Sequence, residues 1–277
     1  MIFESHAHYN DSKFDTDRDE VIQSLRDKGV GTVINVGDTL RSSEDCIKLA
    51  EKYDFFYAAV GVHPESIREM AGEIPEGGEA DLRGHLEKTG YIETLRQQAS
   101  ADKVVSIGEI GLDYYWEKDE AYRELQKAAF AGQLDLAAEL SLPVIIHSRD
   151  ACKDTLDIIA ASPFADGRLK GVMHCYSYSP EVAEDLVKKY GFYIGVGGVV
   201  TFKNSKNLKE TVEKIPMENI LVETDCPYMA PEPHRGKRNY SGYLPYVVDK
   251  IAEIKGISSE EVERITEENG RRLFGIK

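Results

Sequence analysis

Positive charge is in short supply in this chain: 34 lysines and arginines stand against 49 aspartates and glutamates, a net charge of −15 over 277 residues. A protein that coats duplex DNA presents a broad basic face to the phosphates, so binding of that global kind is excluded. A nucleic-acid substrate would have to be met locally, which points to small substrates or strand ends. Cysteine is sparse as well. Cys46, Cys152, Cys175 and Cys226 form no CxxC pair, and the amino terminus shows neither the basic start nor the apolar run of a signal peptide. Reduced thiols and a cytoplasmic location are therefore expected. No apolar stretch approaches the ~20 residues that cross a bilayer, which argues against a membrane partner. Internal repeats and low-complexity tracts are missing too.

What the chain does have is enough apolar residue content, 42%, to bury a large core, and barrels of this length commonly form one domain. A single domain over residues 1–277 is expected. Short apolar runs alternate with stretches of helical spacing from one end to the other. The candidate strands are 2–8, 32–37, 55–62, 104–110, 143–147, 169–175, 192–196 and 220–224. Eight such units predict an α/β fold, a TIM-type (β/α)8 barrel. Among the intervening helices are 42–53, opened by the capping-type pair Ser42 and Asp45, and 122–140, rich in Ala, Leu, Glu and Gln. A charged amphipathic helix at 258–274 closes the fold. Two regions break the rhythm. Residues 69–90 carry Gly72, Pro75, Gly77, Gly78 and Gly84 ahead of a helical stretch at 86–97, and read as an insertion after the third strand, either a surface loop or a lid. Residues 229–239 form a Pro- and Gly-punctuated loop after the last strand, with Arg235, Lys237 and Arg238 clustered in it.

Six metal-competent side chains follow the apolar runs: His6 and His8, Glu109, His147, His174 and Asp225. Side chains two apart in a strand share a face, so His6 and His8 can converge on one ion. Barrels of this type place their sites at the C-terminal strand ends, where the other four would arrive from separate strands. A divalent ion there lowers the pKa of bound water towards about 7 and polarises an electrophile. Imidazoles suit zinc, and the carboxylates also admit magnesium or manganese, so one or two divalent ions are expected without a choice among the three. Glu109, in Gly108-Glu109-Ile110-Gly111, reads as a bridge between two ions. Asp225, before Cys226-Pro227, reads as a ligand that orients or deprotonates the attacking water. Alone, each would be an ordinary strand-end acid; five histidines at strand ends change that reading. His63 is not needed to complete the metal set and is assigned to substrate. Arg149, Lys203, Arg235, Lys237 and Arg238 are candidate phosphate contacts, since a guanidinium fork can hold phosphate bidentately. The run Tyr114-Tyr115-Trp116 either stacks a nucleobase or packs the rim.

These blocks, His6-Ala7-His8, Gly61-Val62-His63-Pro64, Gly108-Glu109-Ile110-Gly111-Leu112-Asp113, Ile146-His147-Ser148-Arg149, Met173-His174-Cys175, Glu223-Thr224-Asp225-Cys226-Pro227 and Pro233-His234-Arg235-Gly236-Lys237-Arg238-Asn239, resemble the signature blocks of TatD-type metal-dependent deoxyribonucleases, in the same order across nearly the whole chain. The resemblance implies an amidohydrolase-like barrel that hydrolyses phosphodiester bonds of DNA, single-stranded or at frayed ends. It makes His6, His8, Glu109, His147, His174 and Asp225 the metal ligands, Asp225 and Glu109 the catalytic acids, and His63, Arg149 and Arg238 the residues that offset charge on the phosphoryl oxygens. Four positions depart from the family's pattern: Glu4 and Asn10, where Asp is usual or frequent, and Tyr240-Ser241 after Asn239, where many members have Glu-Pro. Two other functions remain open. One is hydrolysis of a small-molecule ester, amide or phosphodiester on the same barrel. The other is a non-catalytic metal-binding scaffold, which the complete ligand set disfavours.

Overall fold

Each of the eight apolar runs forms a strand, and each strand pairs in parallel with its neighbours in chain order. The computed structural model describes residues 1–73 and 82–277. The strands are β1 (Ile2–Ala7), β2 (Val30–Val36), β3 (Phe56–Val60), β4 (Val104–Asp113), β5 (Val144–Arg149), β6 (Gly171–Met173), β7 (Tyr193–Val196) and β8 (Ile220–Val222). The sheet curls onto itself where Ala7 bridges Cys226 in parallel. Across this seam His8 N donates to the Cys226 carbonyl at 2.9 Å and Asp225 N donates to the His6 carbonyl at 3.0 Å. The observed architecture is the (β/α)8 barrel that the alternation predicts.

The described α-helices are α1 (Arg18–Ser24), α2 (Leu40–Lys52), α3 (Ile67–Ala71), α4 (Leu82–Glu87), α5 (Tyr91–Ala99), α6 (Glu120–Leu140), α7 (Cys152–Ala161), α8 (Pro180–Asp185), α9 (Lys206–Lys214), α10 (Leu244–Lys255) and α11 (Ser259–Phe274), with short single-turn helices between some of them. Two apolar clusters result. One draws on every strand, with Phe3, Ile34, Val36, Ala59, Val105, Ile145, Val172, Tyr193 and Leu221, and adds Leu273, Phe274 and Ile276. Only the barrel interior can gather all eight strands, so α11 plugs one end of it, with Phe274 stacked on Phe3 at 5.9 Å. The larger cluster lies between strands and helices.

The differences from expectation are local. Helix α2 begins at Leu40, because Thr39 caps it: Ser42 N donates to Thr39 Oγ1 and the Ser42 hydroxyl accepts from Thr39 N. Ser42 is thus the returning member of a capping box and not its start. Strands β6 and β8 stop short of 175 and 224, and Cys175 and Asp225 each adopt left-handed backbone, φ 46° and 55°, which turns the chain out of the sheet just after His174 and at Asp225 itself. The helical stretch expected at 86–97 is two helices, α4 and α5, divided at Gly90 with φ 69°. Pro75, Gly77 and Gly78, on which the lid reading drew, lie outside the described residues. The four cysteines are free thiols, and no described helix is long and apolar enough to cross a membrane.

Candidate metal centre

The site assembles at the C-terminal strand ends. His6 and His8 bring their Nε2 atoms to 3.0 Å of each other. Asp225, delivered across the seam, sets Oδ1 3.3 Å from His8 Nε2 and 3.7 Å from His6 Nε2. Glu109 on β4 faces both ways. Its Oε2 lies 3.3 Å from His6 Nε2 and 3.7 Å from His8 Nε2, while Oε1 lies 3.0 Å from His147 Nδ1 and 3.2 Å from His174 Nε2. One carboxylate oxygen therefore serves each of two nitrogen sets, and donor atoms of His6, His8 and Asp225, and of His6, Glu109 and His174, each fall within 4.8 Å of one another.

The outward-facing ring nitrogens decide which histidines can give a lone pair to an ion. His8 Nδ1 sits 2.8 Å from the Val36 carbonyl, His147 Nε2 sits 3.0 Å from Asp113 Oδ2, and His174 Nδ1 lies 3.4 Å from Glu223 Oε1. The partners of His8 and His147 only accept, so each fixes the ring proton on the outer nitrogen and leaves the inner one to face the centre, the arrangement of metal-bound histidines; His174 Nδ1 makes no hydrogen bond, and Glu223 stands beside it as a charge. His63 is wired the opposite way. Its Nδ1 accepts from Glu65 N at 3.2 Å, which places the proton of the neutral ring on Nε2, 3.5 Å from Glu109 Oε1. His63 therefore aims a donor into the site, although its ring also groups with Glu109 and His147. The donor set fits one or two divalent ions: convergent imidazole nitrogens and carboxylate oxygens that a cation would complete.

The charges follow from this crowding. Burial pushes Glu109 up, but the charges of His174, His63 and His6 outweigh it and hold the carboxyl well below the usual range. Burial lowers His8 and His147, yet the Asp225 hydrogen bond raises the first, and Asp113 with Glu109 the second, each to about 9. Burial, with the charge of His174 next, lowers His6. Asp225 stays low despite its burial through the bond to His8.

Three supporting acids escaped the sequence reading. Asp113 holds His147 and Glu223 stands beside His174, as above. Glu4, fully buried and pushed to about 7 by that burial, accepts from His6 N at 3.2 Å, Thr224 N at 2.9 Å and Thr224 Oγ1 at 2.7 Å, tying β1 to the end of β8. One of them left a signal in its spacing: Glu4 shares a strand face with His6. Two glycines make room. A Cβ on Gly195 would meet Glu223 Oε2 at 2.4 Å, and one on Gly111, at φ 141°, would meet the His147 carbonyl oxygen at 1.9 Å.

The basic candidates are dispersed. Arg149 is exposed, with its guanidinium 3.8 Å over the Tyr115 ring. Arg238 commits its guanidinium to both oxygens of Asp17, at 2.8 and 2.6 Å, and to the Lys13 carbonyl. Arg235 lies 4.4 Å over Phe202, and Lys203 and Lys237 are exposed.

Imidazoles and carboxylates gathered this way on the rim of a parallel barrel define a metal-dependent hydrolase. The chain matches the TatD related DNase family over residues 3–275 and belongs to the TatD family. It is 41% identical to the uncharacterized metal-dependent hydrolase YabD of Bacillus subtilis, over all of both chains. It is 31% identical to the 3'-5' ssDNA/RNA exonuclease TatD of Erwinia tasmaniensis, over 99% of this chain and 100% of that one. Its fold superposes on the crystal structure of YJJV, a TatD homolog from Escherichia coli, with a TM-score of 0.84 at 28% identity, covering 100% of this chain and 98% of that one.

Proposed function

We propose that this hydrolase cleaves phosphodiester bonds of DNA, in single strands or at frayed strand ends, with one or two magnesium, manganese or zinc ions. The observation that carries the reading is Glu109, whose two carboxylate oxygens face two separate nitrogen sets. Ions held by the two nitrogen sets, with Glu109 between them, would supply charge stabilisation for displacement at phosphorus and a nucleophilic water near neutral pH. Around them the chain's own groups divide the work. Asp225 orients the attacking water and takes up its proton. His6, His8 and Asp225 form one ligand group, His147 and His174 the other, and Glu109 holds the two in register. His63 Nε2–H and Arg149 donate to the phosphoryl oxygens as their charge grows. Arg238 fastens the loop after β8 to Asp17 and reaches phosphate only by releasing that pair. The exonuclease named among the relatives supports a nucleic-acid substrate.

The test is incubation of metal-stripped protein, reconstituted separately with each ion, with end-labelled single- and double-stranded DNA. A metal-dependent product ladder that Asp225→Asn abolishes is the expected result. Turnover of simple esters with no cleavage of DNA under any ion would replace this reading with a small-molecule hydrolase.

A further inference from the structure

Beyond β4 the rim carries an aromatic wall that the metal centre does not use. Trp116, the only tryptophan of the chain, is 61% exposed, and Tyr115 is 43% exposed. Their rings meet edge to face at 4.8 Å and 85°, so Tyr115 braces the indole while most of Trp116 stays in water. The Arg149 guanidinium covers the Tyr115 ring at 3.8 Å and lies 5.9 Å from the Trp116 ring. Among the described residues it has no carboxylate partner, although the chain holds 49 acids. Large aromatic side chains left in water beside an unpaired guanidinium call for a ligand with a flat face and a negative charge.

The wall is rigid and wired to the site. Trp116 N donates to Asp113 Oδ1 at 2.8 Å, and the other oxygen of that carboxylate holds His147 at 3.0 Å. Tyr114 N donates to the Arg149 carbonyl at 2.9 Å. The following turn is fixed by Arg68, which grips both oxygens of Glu117 at 3.0 and 2.8 Å. A platform held in this way loses little freedom when a ligand arrives.

We propose that Trp116, with Tyr115 behind it and Arg149 beside it, is a stacking platform for an unpaired nucleobase of the strand whose phosphodiester lies at the metal centre. The inference rests on the phosphodiesterase reading for the class of its ligand. An acidic chain cannot hold a strand by phosphate contacts alone, and stacking is tolerant of sequence because every base has a π face. A paired base keeps both faces in the duplex. The platform thus makes single-strandedness a condition of binding, and Arg149 serves both base and phosphate.

The single tryptophan is its own reporter. Metal-loaded protein is titrated with a short oligothymidylate carrying phosphorothioate linkages to resist cleavage, with the same backbone lacking bases, and with a blunt hairpin. Binding is read in parallel by anisotropy of a labelled strand. Saturable quenching of Trp116 fluorescence by the thymidylate, none by the abasic strand, and an affinity about 5- to 100-fold weaker for the abasic strand are expected from one stacked base. Trp116→Ala should bring the two affinities together. Rescue of the thymidylate preference by Trp116→Phe would show that a ring, and not the fold of the loop, supplies it. Equal affinity of wild type for the two strands, binding without quenching, or no binding at all would each overturn the platform. Cleavage of unmodified DNA under those same results would leave the nuclease reading in place. Quenching and base-dependent binding without cleavage of unmodified DNA would keep the platform and remove the nuclease.

Discussion

Replacing Glu223 tests whether the histidines are held by their outer partners. Glu223 is buried, accepts from Cys175 N at 2.5 Å and lies 3.4 Å from His174 Nδ1, while its Oε2 has no hydrogen-bond partner. One oxygen thus anchors the backbone just after His174 by a hydrogen bond and sets a charge beside the His174 ring. A hydrogen bond to a charged acceptor contributes about 1.5–3 kcal/mol, and loss of an outer-shell partner typically costs 10–100-fold in metal affinity. Glu223→Gln keeps an acceptor but loses the charge, so about a 10-fold loss is expected. Glu223→Ala loses both and should approach 100-fold. Gly195→Ala approaches the same contact from β7, because its new Cβ would sit 2.4 Å from Glu223 Oε2, and should weaken metal binding by displacing the Glu223 carboxylate without replacing it. The assay is calorimetric titration of metal-stripped protein with manganese, with thermal melting in parallel. Wild-type affinity and stoichiometry in Glu223→Ala, with only a lower melting temperature, would refute the reasoning and reduce Glu223 to a structural acid.

Three further outcomes follow from the geometry. Gly111→Ala forces a Cβ to within 1.9 Å of the His147 carbonyl oxygen at a backbone angle of φ 141°, and should cost several kcal/mol, on the order of 3 or more, read as a fall in melting temperature or loss of soluble protein. In metal-free protein His8 and His147 are raised to about 9, so the stability they contribute is complete below their unfolded value near 6.5 and is lost as pH rises through about 9. Asp225, held low, contributes above its unfolded value near 3.9 and is lost as pH falls through its folded one. Melting of chelator-treated protein should therefore weaken from pH 7 to 9.5, and a flat profile would contradict the assigned hydrogen bonds. Saturating manganese, at roughly 100 times its dissociation constant, should stabilise the fold by about 2.7 kcal/mol, and Glu109→Gln should lose most of that gain in the same melting experiment.

The barrel was legible because each strand is an apolar run of its own, separated from the next by a stretch of helical spacing. The convergence of the candidate ligands was legible for a related reason: His6 and His8 declare a strand face by their spacing, and the C-terminal strand ends bring the rest together. The outer partners were not. Asp113, Glu223 and Glu4 look like any strand-end acid in one dimension, and only register shows that their oxygens reach His147, His174 and the β1–β8 seam. Arg238 read as a phosphate contact from its basic loop, but Asp17, 221 residues away in the chain, takes its guanidinium. The lengths of β6 and β8 were overread because left-handed turns at Cys175 and Asp225 leave no mark on hydropathy.

The seam that closes the barrel also fixes when the group of His6, His8 and Asp225 is complete. His6 and His8 emerge early from the ribosome, but Asp225, their third partner, and the β8 pairing that positions it come more than two hundred residues later. At roughly 5–20 residues per second, that leaves the two imidazoles on an open sheet for on the order of ten seconds or more. Completion of this group is therefore among the last events of maturation, and a chain arrested before residue 225 carries the two histidines without their carboxylate partner.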